Sequence, residues 1–133
     1  NKTWMYMKNK MTIKREFYQD VTSTPHFITQ INYEGCYIEH DDIYFDNLNN
    51  IDAELDTFNK TRIKSIIIDG GQRFRLTIIP TNNGGIKLKC NSDKINLPGK
   101  ISLEGFFSID GENVNEFIQK IKALIKDGKE LNI

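Results

Sequence analysis

The sequence predicts a single α+β domain over residues 1–133, with a mainly antiparallel β-sheet, a short mid-chain helix and a long C-terminal amphipathic helix packed on one face. Three observations predict it. Apolar and polar residues alternate in short bursts, turn-forming residues separate those bursts, and a stripe of apolar residues at helical spacing closes the chain. The length of 133 residues suits one domain with an ordinary core.

The N-terminal part is predicted to be strands joined by turns. Two bursts of alternation in residues 4–17 predict one or two strands, broken near residues 8–10. Residues 27–33 also alternate, and a turn at Glu34-Gly35 then returns the chain through residues 36–45 as a hairpin partner.

A short helix is predicted over residues 49–59. Its single apolar stripe has intervals of three and four residues and consists of Leu48, Ile51, Leu55 and Phe58.

A hairpin is predicted to follow this helix. Two β-branched runs, 62–68 and 72–79, flank Asp69-Gly70-Gly71-Gln72, and the paired glycines suit a two-residue turn. That turn would place Ile67 opposite Phe74 on the core face. Ser65 and Ile63 would face the core with Ile67, opposite Leu76 and Ile78, leaving Ile66 and Ile68 on the reverse face.

The next turn can be closed with two or three residues, and the apolar pattern favours the three-residue loop Asn82-Asn83-Gly84. This loop puts Leu88 opposite Ile78 and Cys90 opposite Leu76. Residues 91–99 are predicted to be a turn-rich connection, and residues 101–109 resume the alternation.

The last predicted element is an amphipathic helix with Asp110 as a candidate N-cap and Gly128 as its stop. We expect it to lie across the core face of the sheet. Its apolar stripe consists of Val114, Phe117, Ile118, Ile121, Leu124 and Ile125.

Charge, hydropathy and cysteine spacing argue against several classes of function. The formal net charge is zero, which argues against coating nucleic acid or an anionic membrane by bulk electrostatics. No run is long and apolar enough for a membrane span, so a cytoplasmic protein is expected. Cys36 and Cys90 match no zinc spacing, and two free thiols are predicted.

No enzyme signature is present, so the chain is predicted not to be an enzyme and to need no cofactor or metal. Cys36 and His40 lie close in sequence, but nothing marks an oxyanion site beside them. The run Glu39-His40-Asp41-Asp42 has metal-ligand chemistry, but neighbouring residues of a strand point to opposite faces. A solvated turn is the favoured interpretation of that run.

Charge segregation is the strongest non-random feature. Residues 34–56 carry eight acidic side chains and no Lys or Arg, whereas the charged residues of the segment 60–89 are all basic except Asp69. The acidic segment predicts a surface for a basic protein partner, although pairing with the basic sheet face or simple solvation stays open. The candidate partner-binding residues are Glu39, Asp41, Asp42, Tyr44, Asp46, Asp52, Glu54 and Asp56.

The basic segment suggests an alternative, a nucleic-acid-binding module that uses the reverse face of the sheet. Phosphate contacts combined with base stacking would suit single-stranded RNA. The candidate residues are Lys64, Arg73, Arg75, Lys87, Lys89 and Phe106. One aromatic residue is fewer than an RNA-recognition motif uses, so nucleic acid is the less favoured partner.

The stretch Ile101-Ser102-Leu103-Glu104-Gly105-Phe106-Phe107-Ser108-Ile109-Asp110-Gly111-Glu112-Asn113-Val114-Asn115-Glu116-Phe117-Ile118 resembles the strand-to-helix junction of some bacterial immunity proteins of polymorphic and contact-dependent-inhibition toxins. The resemblance is confined to the C-terminal third of the chain, and the quoted stretch is 18 of its 133 residues. It implies a cytosolic, non-catalytic protein that binds a cognate toxin, often a nuclease, and blocks its active site. It assigns no functional residue, and the acidic surface is inferred from charge alone. A small-molecule enzyme or binder is the third hypothesis.

Overall fold

The computed structural model describes residues 8–16, 24–96 and 98–133. The described chain forms two antiparallel four-stranded sheets and two helices, which confirms the predicted fold class. Strands predicted at residues 4–6 and at Phe17 lie outside the described residues. The elements in order are β1 (Lys10–Glu16), β2 (His26–Tyr33), β3 (Cys36–Ile43), α1 (Leu48–Thr61), β4 (Ile66–Asp69), β5 (Phe74–Pro80), β6 (Ile86–Asn96), β7 (Gly99–Ile109), α2 (Gly111–Asp127) and β8 (Leu131–Asn132).

The first sheet has the strand order β3-β2-β1-β8. Its β2–β3 hairpin turns at Glu34-Gly35, with φ angles of 50° and 80°, as predicted. Positive φ at both positions is what a tight hairpin turn needs. Among the described strands, β3 pairs with β2 alone and forms an edge of this sheet.

A β-bulge interrupts β3. Thr29 pairs with His40 but Phe27 pairs with Ile43, so β3 holds one more residue than β2 across this interval. His40 and Ile43 are consequently both buried, while Asp41 and Asp42 are both exposed. The solvated turn predicted at Glu39-His40-Asp41-Asp42 is wrong, because these residues belong to a bulged strand.

The second sheet has the strand order β4-β5-β6-β7. The three-residue loop predicted between β5 and β6 is confirmed, since Thr81 N–H donates to Gly85 O at 3.0 Å. Leu88 pairs with Ile78 and Cys90 with Leu76, as the apolar pattern requires. The core face of β5 and β6 therefore follows the prediction.

The predicted register of β4 is wrong. Ile66 pairs with Ile78 and Ile68 with Leu76, so these two isoleucines are buried and Ile67 is exposed. Gly70 N–H donates to Phe74 O at 2.8 Å, which closes a longer loop than the predicted two-residue turn. Residues 62–65 precede the strand and do not belong to it.

Gly70 explains the longer loop. A Cβ atom on Gly70 would lie 2.6 Å from Ile43 Cγ2 and 2.7 Å from Phe74 O. This glycine is required for close approach to the first sheet, and it is Gly71, with φ of 79°, that supplies the left-handed turn residue.

The turn-rich connection predicted over residues 91–99 is also wrong. β6 continues to Asn96 and β7 begins at Gly99, with Asn96 paired to Gly99. The β6–β7 hairpin therefore extends past Phe74, where the pairing of β5 with β6 stops at Ser92.

The sheets pack face to face around one apolar cluster. Met11 Sδ of β1 lies 3.2 Å from Cys90 Sγ of β6. The Tyr33 ring of β2 packs edge-on against Phe107 of β7, with ring centroids 5.7 Å apart. A Cβ atom on Gly105 would approach the Tyr33 ring to 2.8 Å, so a glycine is needed at this contact.

The two helices pack against each other and against the sheets, with α2 contacting β1 and β8. Asp110 takes the N-cap position of α2 as predicted, although its side chain makes no capping hydrogen bond. Asn59 Nδ2 of α1 donates to Asn115 Oδ1 of α2 at 2.8 Å. Neither helix of the described chain is long and apolar enough to cross a membrane.

The two cysteines are free, and only Cys36 is exposed. Burial raises the pKa of the Cys90 thiol to about 12, so its thiolate is scarce at neutral pH. We expect a maleimide reagent at pH 7.5 to modify one thiol quickly under native conditions and the second only in denaturant. The Cys36→Ser variant should lose the fast reaction, and fast labelling of that variant would contradict the core position of Cys90.

Candidate interaction surface

Exposed acidic residues follow one another along β3 and along the connection to α1. The β-bulge turns Asp41 and Asp42 outward beside Glu39, because it adds a residue without returning either side chain to the core. We call this group the acidic surface, and its residues are Glu39, Asp41, Asp42, Tyr44 and Asp46. All five were predicted as partner-binding residues.

The carboxylates of the acidic surface make no ion pair with a Lys or Arg of the described chain. Glu39 is held by uncharged donors. Tyr37 OH donates to Glu39 Oε2 at 3.0 Å and Gln30 Nε2 to Glu39 Oε1 at 3.2 Å. The acidic surface therefore presents negative charge to the solvent, because no salt bridge within the described chain neutralises its carboxylates.

Two of the predicted residues, Asp52 and Asp56, lie elsewhere, at the packing interface between the helices. Lys122 of α2 forms ion pairs with both carboxylates, and Lys126 pairs with Asp52 at 3.3 Å. The hydrogen bond from Lys122 lowers the pKa of Asp56, and the same bond raises the pKa of Lys122. These two aspartates hold α1 against α2 in the folded chain.

Glu54 is exposed on α1 and borders a groove between α1 and β4. We call it the α1–β4 groove. Its volume is about 890 Å³, and Asp46 lies at its rim, so the groove adjoins the acidic surface. Its walls are formed by Ala53, Thr57, Phe58, Ile63, Ile66 and Ile67, among others.

Arg73 and His40 lie where the two sheets meet, next to the acidic surface. The Arg73 guanidinium donates to the backbone oxygen of Asp42. His40 donates to the backbone carbonyl of Asp93, and its Nε2 is buried without a hydrogen-bond partner in the described chain. Burial is the main cause that lowers the pKa of His40, and the charges of Arg73 and Lys94 lower it further.

Four of the six residues of the alternative nucleic-acid site share the outer face of the second sheet, and Lys64 and Arg73 lie elsewhere. Lys64 lines the α1–β4 groove, and the Arg73 guanidinium donates a hydrogen bond to the backbone oxygen of Asp42. Arg75 lies on the outer face of the second sheet and pairs with Asp69 at 3.4 Å. The remaining three share that face, where Lys89 pairs with Phe106 and Lys87 with Ser108.

Phe106 is only partly available for stacking. Lys87 Nζ lies 4.2 Å from the centroid of the Phe106 ring, so one face of the ring already meets a cation. This arrangement leaves a small platform of one aromatic ring and two lysines.

No group of three or more His, Cys, Asp and Glu side chains among residues 8–16, 24–96 and 98–133 is arranged to hold a metal ion. His40 points into the core, whereas Glu39, Asp41 and Asp42 point outward, so the four side chains do not converge.

Three exposed apolar or aromatic residues outside the predicted site residues adjoin the candidate sites. Tyr37 stands beside Glu39, and Ile63 and Ile67 stand at the α1–β4 groove. Tyr37, Tyr44 and Phe45 lie among the acidic residues in the sequence, which predicts aromatic contacts at the interface; Tyr37 and Tyr44 are exposed, whereas Phe45 is buried. The two isoleucines were assigned to the core because the register of β4 was mispredicted.

Comparison of the chain with protein-family models, with curated proteins and with solved structures gave no match.

Proposed function

We propose that this protein is a non-catalytic binding protein whose acidic surface docks a basic protein partner. The observation that carries the proposal is the exposure of Glu39, Asp41, Asp42 and Asp46 without ion-pair partners in the described chain. Such a cluster of carboxylates accelerates the encounter with a cationic surface and disfavours binding of anionic partners.

Within this class, we favour an immunity protein that neutralises a cognate bacterial toxin, such as a nuclease, in the cytoplasm. The resemblance of residues 101–118 to the strand-to-helix junction of immunity proteins supports it. A nuclease needs a basic groove to hold its substrate, and an acidic surface can occupy that groove. Exposed Tyr37 and Tyr44 next to the carboxylates provide aromatic side chains of the kind that dominate interface energetics.

Capture of the partner from the native host tests this proposal. The tagged protein should retain a stoichiometric basic protein at low salt, and the complex should survive nuclease treatment. Reversal of Asp41, Asp42 and Asp46 to lysine should slow association at least tenfold and flatten its salt dependence.

A matched control carries the same charge change on other surfaces, at the exposed residues Glu104, Glu112 and Asp127. This variant should associate at nearly the rate of the unmodified protein. Equal slowing in both variants would show that net charge alone matters. Nucleic acid retained without a protein partner would overturn the proposal in favour of the face that carries Lys87, Lys89 and Phe106.

A further inference from the structure

At the edge of β4 beside residues 46 and 47, the N–H of Ile67 has no hydrogen-bond acceptor among the described residues. Asn47 Nδ2 donates to Ile67 O at 2.9 Å, and Asp46 N–H donates to Asp69 O at 2.9 Å. Residues 46 and 47 thus stand in for a neighbouring strand along the C-terminal half of β4. The N–H of Ile67 points to the same side as its carbonyl, and no described residue accepts from it.

The side chains around this donor are apolar and exposed. Ile63 keeps 74% of its surface accessible and Ile67 keeps 44%, and the buried Phe58 of α1 lines the same groove. An exposed edge strand with apolar neighbours is a favourable template for another strand. The α1–β4 groove can therefore take a main chain and an apolar side chain together.

Charge decides which segment fits. The rim has the carboxylates of Asp46 and Glu54, neither of which is ion-paired in the described chain, against the single ammonium of Lys64. Asp69 also lines the groove, but its carboxylate pairs with Arg75. The unpaired charge is negative, so a second copy of this chain would bring like charges together, whereas a cationic segment would be attracted.

We propose that the α1–β4 groove binds a short extended segment of the basic partner, in which apolar and cationic residues alternate, as an added strand on β4. The main chain of the segment accepts from Ile67 N–H, an apolar side chain fills the space between Ile63 and Ile67, and a cationic side chain meets Glu54 or Asp46. This inference rests on the proposed function, because it names the part of the partner that docks.

A synthetic hexapeptide of alternating lysine and isoleucine tests the site without the partner. Amide resonances of residues 54–67 should shift on its addition, and exchange of the Ile67 amide with solvent should slow at least tenfold. A hexapeptide of alternating glutamate and isoleucine has the same apolar content and should cause neither change. Equal binding of the two peptides, or shifts confined to other surfaces, would overturn the proposal.

Two exposed isoleucines give a matched pair of variants. Ile67→Lys places a cation in the groove and should weaken binding of the lysine peptide at least tenfold. Ile95→Lys makes the same change on the β6–β7 hairpin, where Ile95 is similarly exposed, and should leave binding unchanged. An Ile67 amide already protected in the free protein would show that this edge is covered by its own chain or by a second copy, which overturns the proposal.

The proposed function and this inference can fail separately. A captured basic partner that binds the Ile67→Lys variant normally would overturn the groove as its docking site and leave the acidic surface as the interface. Peptide binding without any basic partner in the host would support the groove as a peptide site and overturn the proposed function.

Discussion

Replacement of Phe74 by alanine is expected to lower the free energy of unfolding by about 3–5 kcal/mol, because it leaves a cavity at the centre of the core. Phe74 has 0% exposure. Its ring packs edge-on against Phe45 with centroids 6.2 Å apart, and Phe45 packs against Phe27 at 4.7 Å. The three rings join β5 to β2 and to the segment after β3, so the loss weakens the contact between the sheets.

Phe106→Ala is the matched control for this prediction. Phe106 is 37% exposed and contacts Lys87 on the outer face of the second sheet. Its loss should cost less than about 1 kcal/mol, as is usual for surface substitutions. Urea unfolding followed by circular dichroism measures both variants. A cost for Phe74→Ala as small as that of Phe106→Ala would contradict the position of Phe74 between the sheets.

Sequence pattern was sufficient where each apolar residue is followed by a polar one. Along Phe74, Leu76 and Ile78 the alternation is clean, and the loop choice that kept Leu88 and Cys90 on the same face was correct. The alternation determines which residues face the core, because alternate residues of a strand point to opposite faces and a register error of one residue exposes a whole apolar face.

The sequence pattern failed at β4 because Ile66, Ile67 and Ile68 are the same residue type, so either Ile67 or its two neighbours could face the core. The turn glycines were then the only guide, and Gly70 turned out to serve close packing against Ile43. A contact between distant parts of the chain set the register. No local pattern could show it.

Pattern also failed over the second half of β6, from Asn91 to Asn96. The part of this hairpin past Ser92 lies beyond β5, and residues 94–96 and 98–102 are all exposed, Ile95 and Ile101 among them. Without a core on one face the alternation that marks a strand is lost, although the pairing with β7 persists.

For the candidate site, charge in the sequence indicated the exposed carboxylates of β3 but did not separate them from those of α1. Asp52 and Asp56 are four residues apart, so they share one helix face. Their partner Lys122 is 66 residues from Asp56. Which acidic residues stay available to a partner depends on how the two helices pack, and that is a property of the tertiary structure.

His40 is expected to make the protein less stable as the pH falls below about 6.5. His40 is 8% exposed, and burial lowers its pKa from the usual value of 6.5. Below pH 6.5, His40 binds a proton in the unfolded chain more readily than in the folded chain, so acid favours unfolding. The loss should not exceed about 1.4 kcal/mol per pH unit, the limit for one proton.

The charged neighbours of His40 explain why its protonation destabilises the folded chain. Protonation would place a third cation beside Arg73 and Lys94, with Asp41 as the opposing charge and the Asp93 carbonyl as acceptor. Urea unfolding from pH 8 to pH 5 should give a flat free energy above pH 6.5 and a decline below it, and His40→Gln should remove most of the decline. Equal declines in the two proteins would mean that another group takes up the proton, and that the folded chain accommodates a charged His40 at the junction of its sheets.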